Sequence, residues 1–338
     1  MHMYERLVSW VEEIKDRNQS PGTALFIIKD NRTVLEHYSG RLSNSSGASS
    51  VTGRTRFNIA SARKSYLGLA AAYAVFERKI GSLDDAAAEY FPEYSRDLLG
   101  STTIRHLITH SHGLHLDEAG RPFREFPPGE NWAYRGINVL MMTDLIQRLY
   151  GKSFPQLLKE RVFDPLGFQE TGWETTPSEH LAKVVVDPGE KAISSLGATT
   201  DGMESNLFVS ARELALWGNL HLQMGKVDGK QIVPREVIEL ATSNQSPSYK
   251  KRELPQNGFF WYVQGDPAAQ SELGELVPKG SYQILGVTGP AILMIPEYQA
   301  VVVKMYNKRY NYGGENYLHY LREFSNLAAD CLRKEEVR

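Results

Sequence analysis

The sequence is organised around one stretch, NIASARK at residues 58–64, which contains a Ser-x-x-Lys motif. A strongly apolar run follows it, so we expect Ser61 to lie where a buried helix begins. The first turn of a helix offers unpaired N–H groups and the positive end of the helix dipole. A residue three positions later projects from the same helix face, which places the amine of Lys64 beside the Ser61 hydroxyl. A weak alcohol nucleophile needs such a base, and the pattern predicts that Lys64 takes the proton of Ser61.

A second Ser-x-x-Lys occurs at residues 248–251, so the motif alone does not identify the site. The neighbours of Ser248 include Asn244, Gln245 and two lysines, which is typical of a solvated loop. The run after Ser61 is instead apolar on most helix faces, as expected for a helix buried between two layers. Because burial lowers the pKa of a lysine and makes it a better base, the pair Ser61 and Lys64 is favoured over the second copy.

The bulk composition is that of an ordinary globular protein. The chain has 338 residues, 41% hydrophobic and 23% charged, with a net charge of -2, which gives no electrostatic footprint for nucleic acid. The single cysteine, Cys331, excludes an internal disulfide and a cysteine metal cluster. There is no apolar run of ~18 residues, so no membrane span is predicted. The first residues do not resemble a signal peptide, and we expect a cytoplasmic protein unless a leader has been removed.

Apolar periodicity predicts strands at both ends of the chain and helices between them. A helix is predicted at 3–17 and strands at 24–28 and 33–38; later helices are predicted at 104–109, 139–150, 154–162 and 211–224, strands at 259–263, 283–286, 291–295 and 300–306, and a closing helix at 317–332. This order predicts one sheet built from both termini with a helical insert beside it. Residues 1–85 and 190–338 are assigned to an α/β sheet domain, and residues 86–189 to the helical insert.

Four histidines lie in or just after the predicted helix at 104–109, namely His106, His110, His112 and His115. They could form a metal cluster. The chain offers no nearby glutamate at the spacing of a zinc protease, and helix packing explains His106 and His110 equally well. We therefore predict no metal and no other cofactor.

Several short motifs resemble the superfamily of serine β-lactamases, penicillin-binding proteins and family VIII carboxylesterases. Each is weak alone, but their order and spacing are specific: FNIASARKS at 57–65, GSLDD at 81–85, IRHLITHSHGL at 104–114, DPLGF at 164–168, SARELA at 210–215 and GVTG at 286–289. The resemblance implies an α+β fold of the β-lactamase/transpeptidase-like type. In that fold an antiparallel sheet is flanked by the N- and C-terminal helices, a mainly helical domain lies beside it, and the active site lies between the two.

The resemblance also implies roles for individual residues. Ser61 is the serine that is acylated, and Lys64 helps to activate it. The family's second motif is Tyr-x-Asn or Ser-x-Asn, and the matching place here is Tyr134-Arg135-Gly136. The tyrosine is kept, so Tyr134 is expected to shuttle a proton to the leaving group. The asparagine is absent, and Asn138, four residues beyond Tyr134, is the candidate for its role in substrate binding.

The third family motif, Lys-Thr-Gly or His-x-Gly, has two candidates here, Ile284-Leu285-Gly286 and Val287-Thr288-Gly289. Neither contains a cation. The strand backbone is still expected to supply one oxyanion-hole N–H, with Ser61 supplying the other. Gly286, Val287, Thr288 and Gly289 are therefore predicted to contact substrate.

These departures shift the functional prediction. Penicillins and peptidoglycan stem peptides carry a carboxylate, and the positive group that would hold it is missing from the third motif. The sequence thus predicts a serine hydrolase that forms an acyl-enzyme with a small ester or amide. A β-lactamase or D,D-peptidase acting on β-lactams or peptides is one alternative, and a relative that binds without catalysis is another. Trp132, Trp261 and Tyr262 are candidates for the pocket wall, although each fits the core equally well.

Overall fold

The computed structural model of the protein describes residues 4–187, 189–309 and 317–336. The strands are β1 (Gly22–Lys29), β2 (Arg32–Gly40), β3 (Arg56–Asn58), β4 (Leu114–Leu116), β5 (Pro122–Arg124), β6 (Thr171–Trp173), β7 (Leu207–Ser210), β8 (Lys226–Val227), β9 (Lys230–Gln231), β10 (Gln256–Asn257), β11 (Tyr262–Val263), β12 (Tyr282–Leu285), β13 (Ala291–Ile295) and β14 (Ala300–Tyr306). Within these ranges, seven strands form one antiparallel sheet in the order β10-β11-β12-β13-β14-β1-β2. Strands from the two ends of the chain are neighbours, as the sequence predicts. In this pairing Phe26 lies opposite Val303.

The helices lie on both faces of this sheet and beside it. They are α1 (Glu5–Arg17), α2 (Lys64–Phe76), α3 (Ala87–Tyr90), α4 (Arg96–Leu99), α5 (Ile104–Ile108), α6 (Ile137–Tyr150), α7 (Phe154–Leu158), α8 (Asp164–Leu166), α9 (Ala211–Leu222), α10 (Arg235–Thr242) and α11 (Tyr317–Glu336). Among these described helices, none is long and apolar enough to cross a membrane.

Both faces of the sheet are buried because side chains alternate along each strand. Leu25 and Ile27 of β1 belong to a hydrophobic cluster with residues of the terminal helices α1 and α11. Phe26 and Ile28 point the other way, into the main cluster that includes α2, α6 and α9. The terminal helices therefore flank one face, which confirms the predicted fold class.

Helix α2 is the buried element that the sequence predicts after Ser61. Each of its residues from 64 to 74 is buried, and most of them are alanine, leucine or another apolar residue. Ser61 itself precedes the helix, in a 3-10 turn at Ala60–Arg63. The second Ser-x-x-Lys lies on the surface, where Ser248 and Lys251 are exposed. As predicted, the Ser-x-x-Lys at residues 61–64 leads into a buried helix and the one at residues 248–251 lies on the surface.

A small antiparallel sheet, β3-β7-β6, connects the strand before Ser61 to distant parts of the chain. Phe57 lies opposite Val209, and Phe208 lies opposite Gly172. Its strands come from both of the units that the sequence assigns to separate domains. The division into a sheet domain and a helical insert at residues 86–189 stays a prediction. The pairing of β6 with β7 connects the two predicted units.

The predicted strand at 259–263 is wrong over most of its length. Only Tyr262 and Val263 are extended and paired in β11, whereas Phe260 has a φ of +64°. That left-handed conformation breaks an extended backbone, and apolar composition alone does not reveal it. The other predicted elements occur with boundaries shifted by a few residues, as in the closing helix, which reaches Glu336.

Candidate active site

The turn that carries Ser61 is held by Asn58, the last residue of β3. The Asn58 side-chain oxygen accepts a hydrogen bond from the Ala60 N–H at 2.9 Å, and its amide donates to the Ser205 carbonyl at 2.8 Å. Ala60 has a φ of +45°, a left-handed conformation that is uncommon for a residue with a side chain. Such conformations persist where surrounding contacts enforce them, often at functional sites. Here the sharp turn from β3 into α2 brings Ser61 to the wall of a cavity.

Lys64 joins the serine to a tyrosine from a distant part of the chain. Its Nζ lies 2.8 Å from Ser61 Oγ and 2.5 Å from Tyr134 Oη, both hydrogen-bond distances. The side chain is buried, and this burial, with the positive charge of Arg63, holds the pKa of Lys64 well below its ordinary value, although Glu272 acts in the opposite direction. A lysine whose pKa is lowered in this way loses its proton more readily, and the neutral amine can act as a base.

Tyr134 reaches Lys64 from the segment just before α6. The centre of the Tyr134 ring lies 4.6 Å from Lys64 Nζ and 4.9 Å from the centre of the His110 ring. The structure therefore brings together the three residues predicted to be catalytic, Ser61, Lys64 and Tyr134, in one chain of hydrogen bonds.

These residues line a small cavity of about 140 Å³. Its other described lining residues are Trp132, Phe260, Tyr262, Glu272, Ile284, Leu285, Val287 and Tyr317. Trp132 is held in place by its indole N–H, which donates to Asn257 Oδ1 at 2.9 Å. A larger surface groove of about 970 Å³ lies along α1 and α11, but it contains none of the predicted catalytic residues.

The end of β12 forms one edge of the cavity. A Cβ placed on Gly286 would lie 2.2 Å from the Ile59 carbonyl oxygen, so a residue with a side chain there would push the strand away from the Ser61 turn. Ile284 and Leu285 line the cavity, and Ile284-Leu285-Gly286 therefore occupies the place expected of the third motif. Its first position holds an isoleucine, where a cation would be needed to bind a carboxylate.

The residues after Gly286 divide between the cavity and the interior. Val287 lines the cavity. Thr288 is buried and donates its hydroxyl to the Asn58 carbonyl at 2.6 Å. Gly289 has a φ of +105° and packs against the Tyr306 ring. The structure places Thr288 and Gly289 behind the cavity wall, where they shape the turn without lining the cavity.

Asn138 does not line the cavity either, contrary to its predicted role. It is fully buried in α6, and its amide donates to the Leu107 carbonyl at 2.6 Å and lies 3.2 Å from His110 Nδ1. The reason is local: Tyr134 precedes the start of α6 at Ile137, so a separation of four residues does not place both side chains on one helix face. Asn138 instead fixes the imidazole that packs on Tyr134.

Sequence reasoning missed Glu272, whose buried carboxyl group lines the cavity. It lies in the loop between β11 and β12, in a segment without a recognisable motif. Burial raises its pKa to about 8, although hydrogen bonding to Tyr262 and the charge of Lys64 act in the opposite direction. Its neighbours Ser271 and Leu273 are buried as well, but a loop has no regular spacing that would mark an inward-facing acid in the sequence.

The remaining aromatic and histidine candidates divide between the cavity wall and the interior of the protein. Trp132 and Tyr262 line the cavity, whereas Trp261 is fully buried and packs 5.4 Å from the His221 ring. His106 accepts the Thr103 N–H in a capping box, and His112 accepts the Leu114 N–H. Among the described residues, no group of histidine, cysteine and acidic side chains is arranged to hold a metal ion.

The antiparallel sheet flanked by terminal helices, with Ser61 in the turn before a buried helix, defines the class of serine β-lactamase-like hydrolases. The sequence agrees with this class: residues 7–325 match the family model described as Beta-lactamase, so the chain belongs to the β-lactamase family.

Relatives and solved structures place the chain within a varied family. It is 41% identical to an uncharacterized protein of Alkalihalophilus pseudofirmus, over 98% of this chain and 97% of that protein. It is 27% identical to a D-aminopeptidase of Brucella anthropi, over 48% of this chain and only 35% of that enzyme.

Two solved structures share the fold at lower identity. One is EstCE1, described as a hydrolase with promiscuous acyltransferase activity, with a TM-score of 0.77 and 19% identity over 96% of this chain and 98% of that chain. The other is the octameric penicillin-binding protein homologue of Pyrococcus abyssi, with a TM-score of 0.73 and 21% identity over 91% of this chain and 74% of that chain. At these identities the likeness concerns the fold.

Proposed function

We propose that this protein hydrolyses a small ester or amide through an acyl-enzyme on Ser61. The observation that carries the proposal is the position of one buried amine, Lys64 Nζ, at 2.8 Å from Ser61 Oγ and 2.5 Å from Tyr134 Oη. Geometry and pKa agree, because a lysine whose pKa is lowered by burial can act as the base that its position requires.

In the acylation step, Lys64 takes the proton of Ser61 as Oγ attacks the substrate carbonyl carbon. A tetrahedral intermediate forms, and the proton then passes through the Tyr134 hydroxyl to the leaving alcohol or amine as its bond to carbon breaks. Tyr134 suits this relay because it contacts Lys64 and is itself 41% exposed, so it can reach a leaving group on the open side. In the second step Lys64 takes a proton from a water molecule as the water oxygen attacks the acyl carbon. The bond from that carbon to Ser61 Oγ then breaks, Oγ receives the proton from Lys64, and the carboxylic acid product leaves.

The developing negative charge on the carbonyl oxygen needs hydrogen-bond donors. We assign this role to the backbone N–H groups of Ser61 and Val287. The N–H of Gly286 is engaged, since it donates to the Pro290 carbonyl at 2.9 Å. Val287 is the next residue and lines the cavity.

The cavity wall favours substrates without a carboxylate near the reacting bond. Among the described lining residues, Lys64 is the cationic side chain, and the proposed mechanism uses it as the base. The isoleucine at 284 offers a carboxylate no partner. The names of two similar proteins, a hydrolase with promiscuous acyltransferase activity and a D-aminopeptidase, support acyl transfer and amide hydrolysis as the type of reaction.

A panel of chromogenic substrates tests this function. Purified wild-type protein, Ser61→Ala and Ser248→Ala are assayed with p-nitrophenyl acetate and butyrate, a p-nitroanilide and a chromogenic cephalosporin. We expect ester hydrolysis by the wild type and by Ser248→Ala, none above background by Ser61→Ala, and slow or no cephalosporin turnover. Cephalosporin turnover faster than ester turnover would instead indicate a β-lactamase. Failure with every substrate would support a relative that binds without catalysis.

A further inference from the structure

Glu272 is a carboxylic acid that lines the cavity, and the proposed mechanism gives it no role. Its side chain lines the same cavity as Ser61 and Lys64, and the residue is 9% exposed. The Gln283 side-chain amide donates to its backbone carbonyl at 3.2 Å, and the Ser271 hydroxyl accepts the N–H of the next residue, Leu273, at 3.2 Å. The loop thus fixes the place from which the carboxyl group enters the cavity.

This carboxyl group lacks a full set of partners. Over the residues that the structure describes, its Oε2 atom is buried without a hydrogen-bond partner. Buried polar atoms without partners are rare in proteins because removing a polar atom from water without a hydrogen bond is unfavourable. The pKa of Glu272, raised by burial to about 8, has the same cause: the charged form has too little compensation within the protein. An ammonium group bound beside Glu272 would give Oε2 a hydrogen-bond donor and would stabilise the charged form of the carboxyl group.

The rest of the cavity wall is largely aromatic, which also favours binding of a cation. Trp132, Tyr134, Tyr262, Phe260 and Tyr317 surround the same space. The rings of Trp132 and Tyr262 are 6.0 Å apart, and those of Trp132 and Tyr134 are 6.3 Å apart. Aromatic faces attract ammonium groups, and a ring of them with a carboxylate is a recurrent way to bind an amine. The volume of about 140 Å³ limits the occupant to a small group.

We propose that the cavity binds a primary ammonium group on the acyl part of the substrate, with Glu272 as its counter-ion and the aromatic rings as its walls. The substrate class is then a small aminoacyl ester or amide with a free amino group. This inference rests on the proposed function, because it specifies the acyl side of the substrate attacked by Ser61.

The charges in the cavity are compatible with this assignment. A substrate ammonium near Lys64 disfavours protonation of that lysine, which keeps it available as a base. A neutral Glu272 releases its proton to solvent when the ammonium binds, so the pair enters the chemical step as carboxylate and ammonium. A substrate carboxylate in the same place would meet the Glu272 oxygens and be repelled.

Matched substrates test the inference by kinetics. The wild type, Glu272→Gln and the control Glu275→Gln are assayed with alanine p-nitroanilide, in both enantiomers, and with propionic acid p-nitroanilide, which differs only by the amino group. Glu275 is a suitable control because it pairs with Arg322 with 56% of its side chain exposed. We expect the wild type to prefer at least one alanine enantiomer by about tenfold or more in kcat/KM, as a buried charge pair would give.

Glu272→Gln should lower that preference at least about tenfold, mainly through KM. Turnover of the propionyl substrate reports separately any effect of Glu272 on Lys64. An equal loss with both substrates would mean that Glu272 acts on Lys64, and it would overturn the inference. So would a wild-type enzyme with no preference for either amino substrate. Glu275→Gln should keep the wild-type preference.

A binding experiment separates this inference from the proposed function. In Ser61→Ala protein, isopropylammonium chloride is titrated by calorimetry against isopropanol as the neutral control. The inference requires binding of the ammonium that is lost in Ser61→Ala/Glu272→Gln, whether or not the wild type turns over any ester. Absence of ammonium binding, or equal binding by both proteins, would overturn it. Failure of ester turnover with ammonium binding intact would instead reject only the proposed hydrolysis.

Discussion

Lys64 is the residue on which the proposed chemistry depends most. Replacing it with methionine keeps the length and the burial but removes the base, so we expect ester hydrolysis to fall by about 10²–10⁴-fold. The matched control is Lys251→Met in the second Ser-x-x-Lys, which lies exposed on the surface and should keep full activity. Initial rates for p-nitrophenyl butyrate check both variants. Equal rates in Lys64→Met and the wild type would contradict the assigned role.

Tyr134 contributes a hydroxyl group rather than bulk. In Tyr134→Phe the ring still packs against His110, but the contact with Lys64 Nζ at 2.5 Å is lost. We expect kcat to fall by about 10²-fold or more while KM changes little, since the hydroxyl is needed only when a proton moves. The same measurement on Tyr94→Phe, a half-buried tyrosine outside the cavity, should show no change. A rise in KM with kcat unchanged would indicate substrate binding instead.

Single residues also show how far the sequence could predict this site. Ser61, Lys64 and Tyr134 come from motifs with defined spacing, and the structure brings them together. The role predicted for Asn138 depends on its separation of four residues from Tyr134. That separation places two side chains on the same face only within one helix, and α6 begins after Tyr134. Glu272 and Tyr317 reach the cavity through the fold of distant segments. No sequence pattern around either residue predicts that its side chain lines the cavity.

At the scale of elements, the close approach of β12 to the Ser61 turn holds the two halves of the proposed oxyanion hole together. In Gly286→Ala the new Cβ would lie 2.2 Å from the Ile59 carbonyl oxygen, so the strand and the turn must separate. We expect activity to fall by about 10²-fold, because a displacement near 1 Å misplaces the reacting groups. Stability should fall by about 1–3 kcal/mol.

Gly53→Ala is the control for that variant. Its Cβ would lie 3.4 Å from Tyr38 Oη, an ordinary contact distance, and the site is elsewhere. Ester hydrolysis and urea denaturation of both variants provide the measurements. A fully active Gly286→Ala would show that the position of the strand does not matter for catalysis.

Most of the long elements were predicted from the sequence, whereas α10 and several short strands were not. The strands at 291–295 and 300–306 were predicted with the observed boundaries because apolar runs between turn residues define them. The strands β3, β6 and β7 have only three or four residues each, too few for a period to be recognised. Yet β3 and β7 position Asn58 and its partners, so the geometry of the Ser61 turn depends on elements that periodicity does not detect.

At the scale of the whole molecule, Lys304 connects the sheet, the last helix and the turn beside the site. It is 1% exposed in β14, donates to the Gly289 carbonyl at 2.8 Å, and lies over the rings of Tyr306 and Phe324. Burial lowers its pKa from 10.5 to about 7. Between these two values the unfolded chain binds more protons than the folded protein, so stability should rise with pH.

This behaviour can be measured by urea denaturation at pH 7 and pH 9.5. We expect the free energy of unfolding of the wild type to rise by on the order of 2 kcal/mol more than that of Lys304→Met over this range. Lys279→Met, which removes a side chain that is 73% exposed, should keep the wild-type slope. Identical slopes for the wild type and Lys304→Met would show that Lys304 keeps an ordinary pKa in the folded protein.

Covalent labelling tests whether Ser61 is the residue that forms the acyl-enzyme. Wild-type protein is incubated with a fluorophosphonate probe, and intact mass and peptide mass spectra are recorded, with Ser61→Ala and Ser248→Ala in parallel. We expect one adduct per chain in the wild type and in Ser248→Ala, located on Ser61, and none in Ser61→Ala. No adduct on the wild type, an adduct on another residue, or labelling that persists in Ser61→Ala would contradict the role proposed for Ser61.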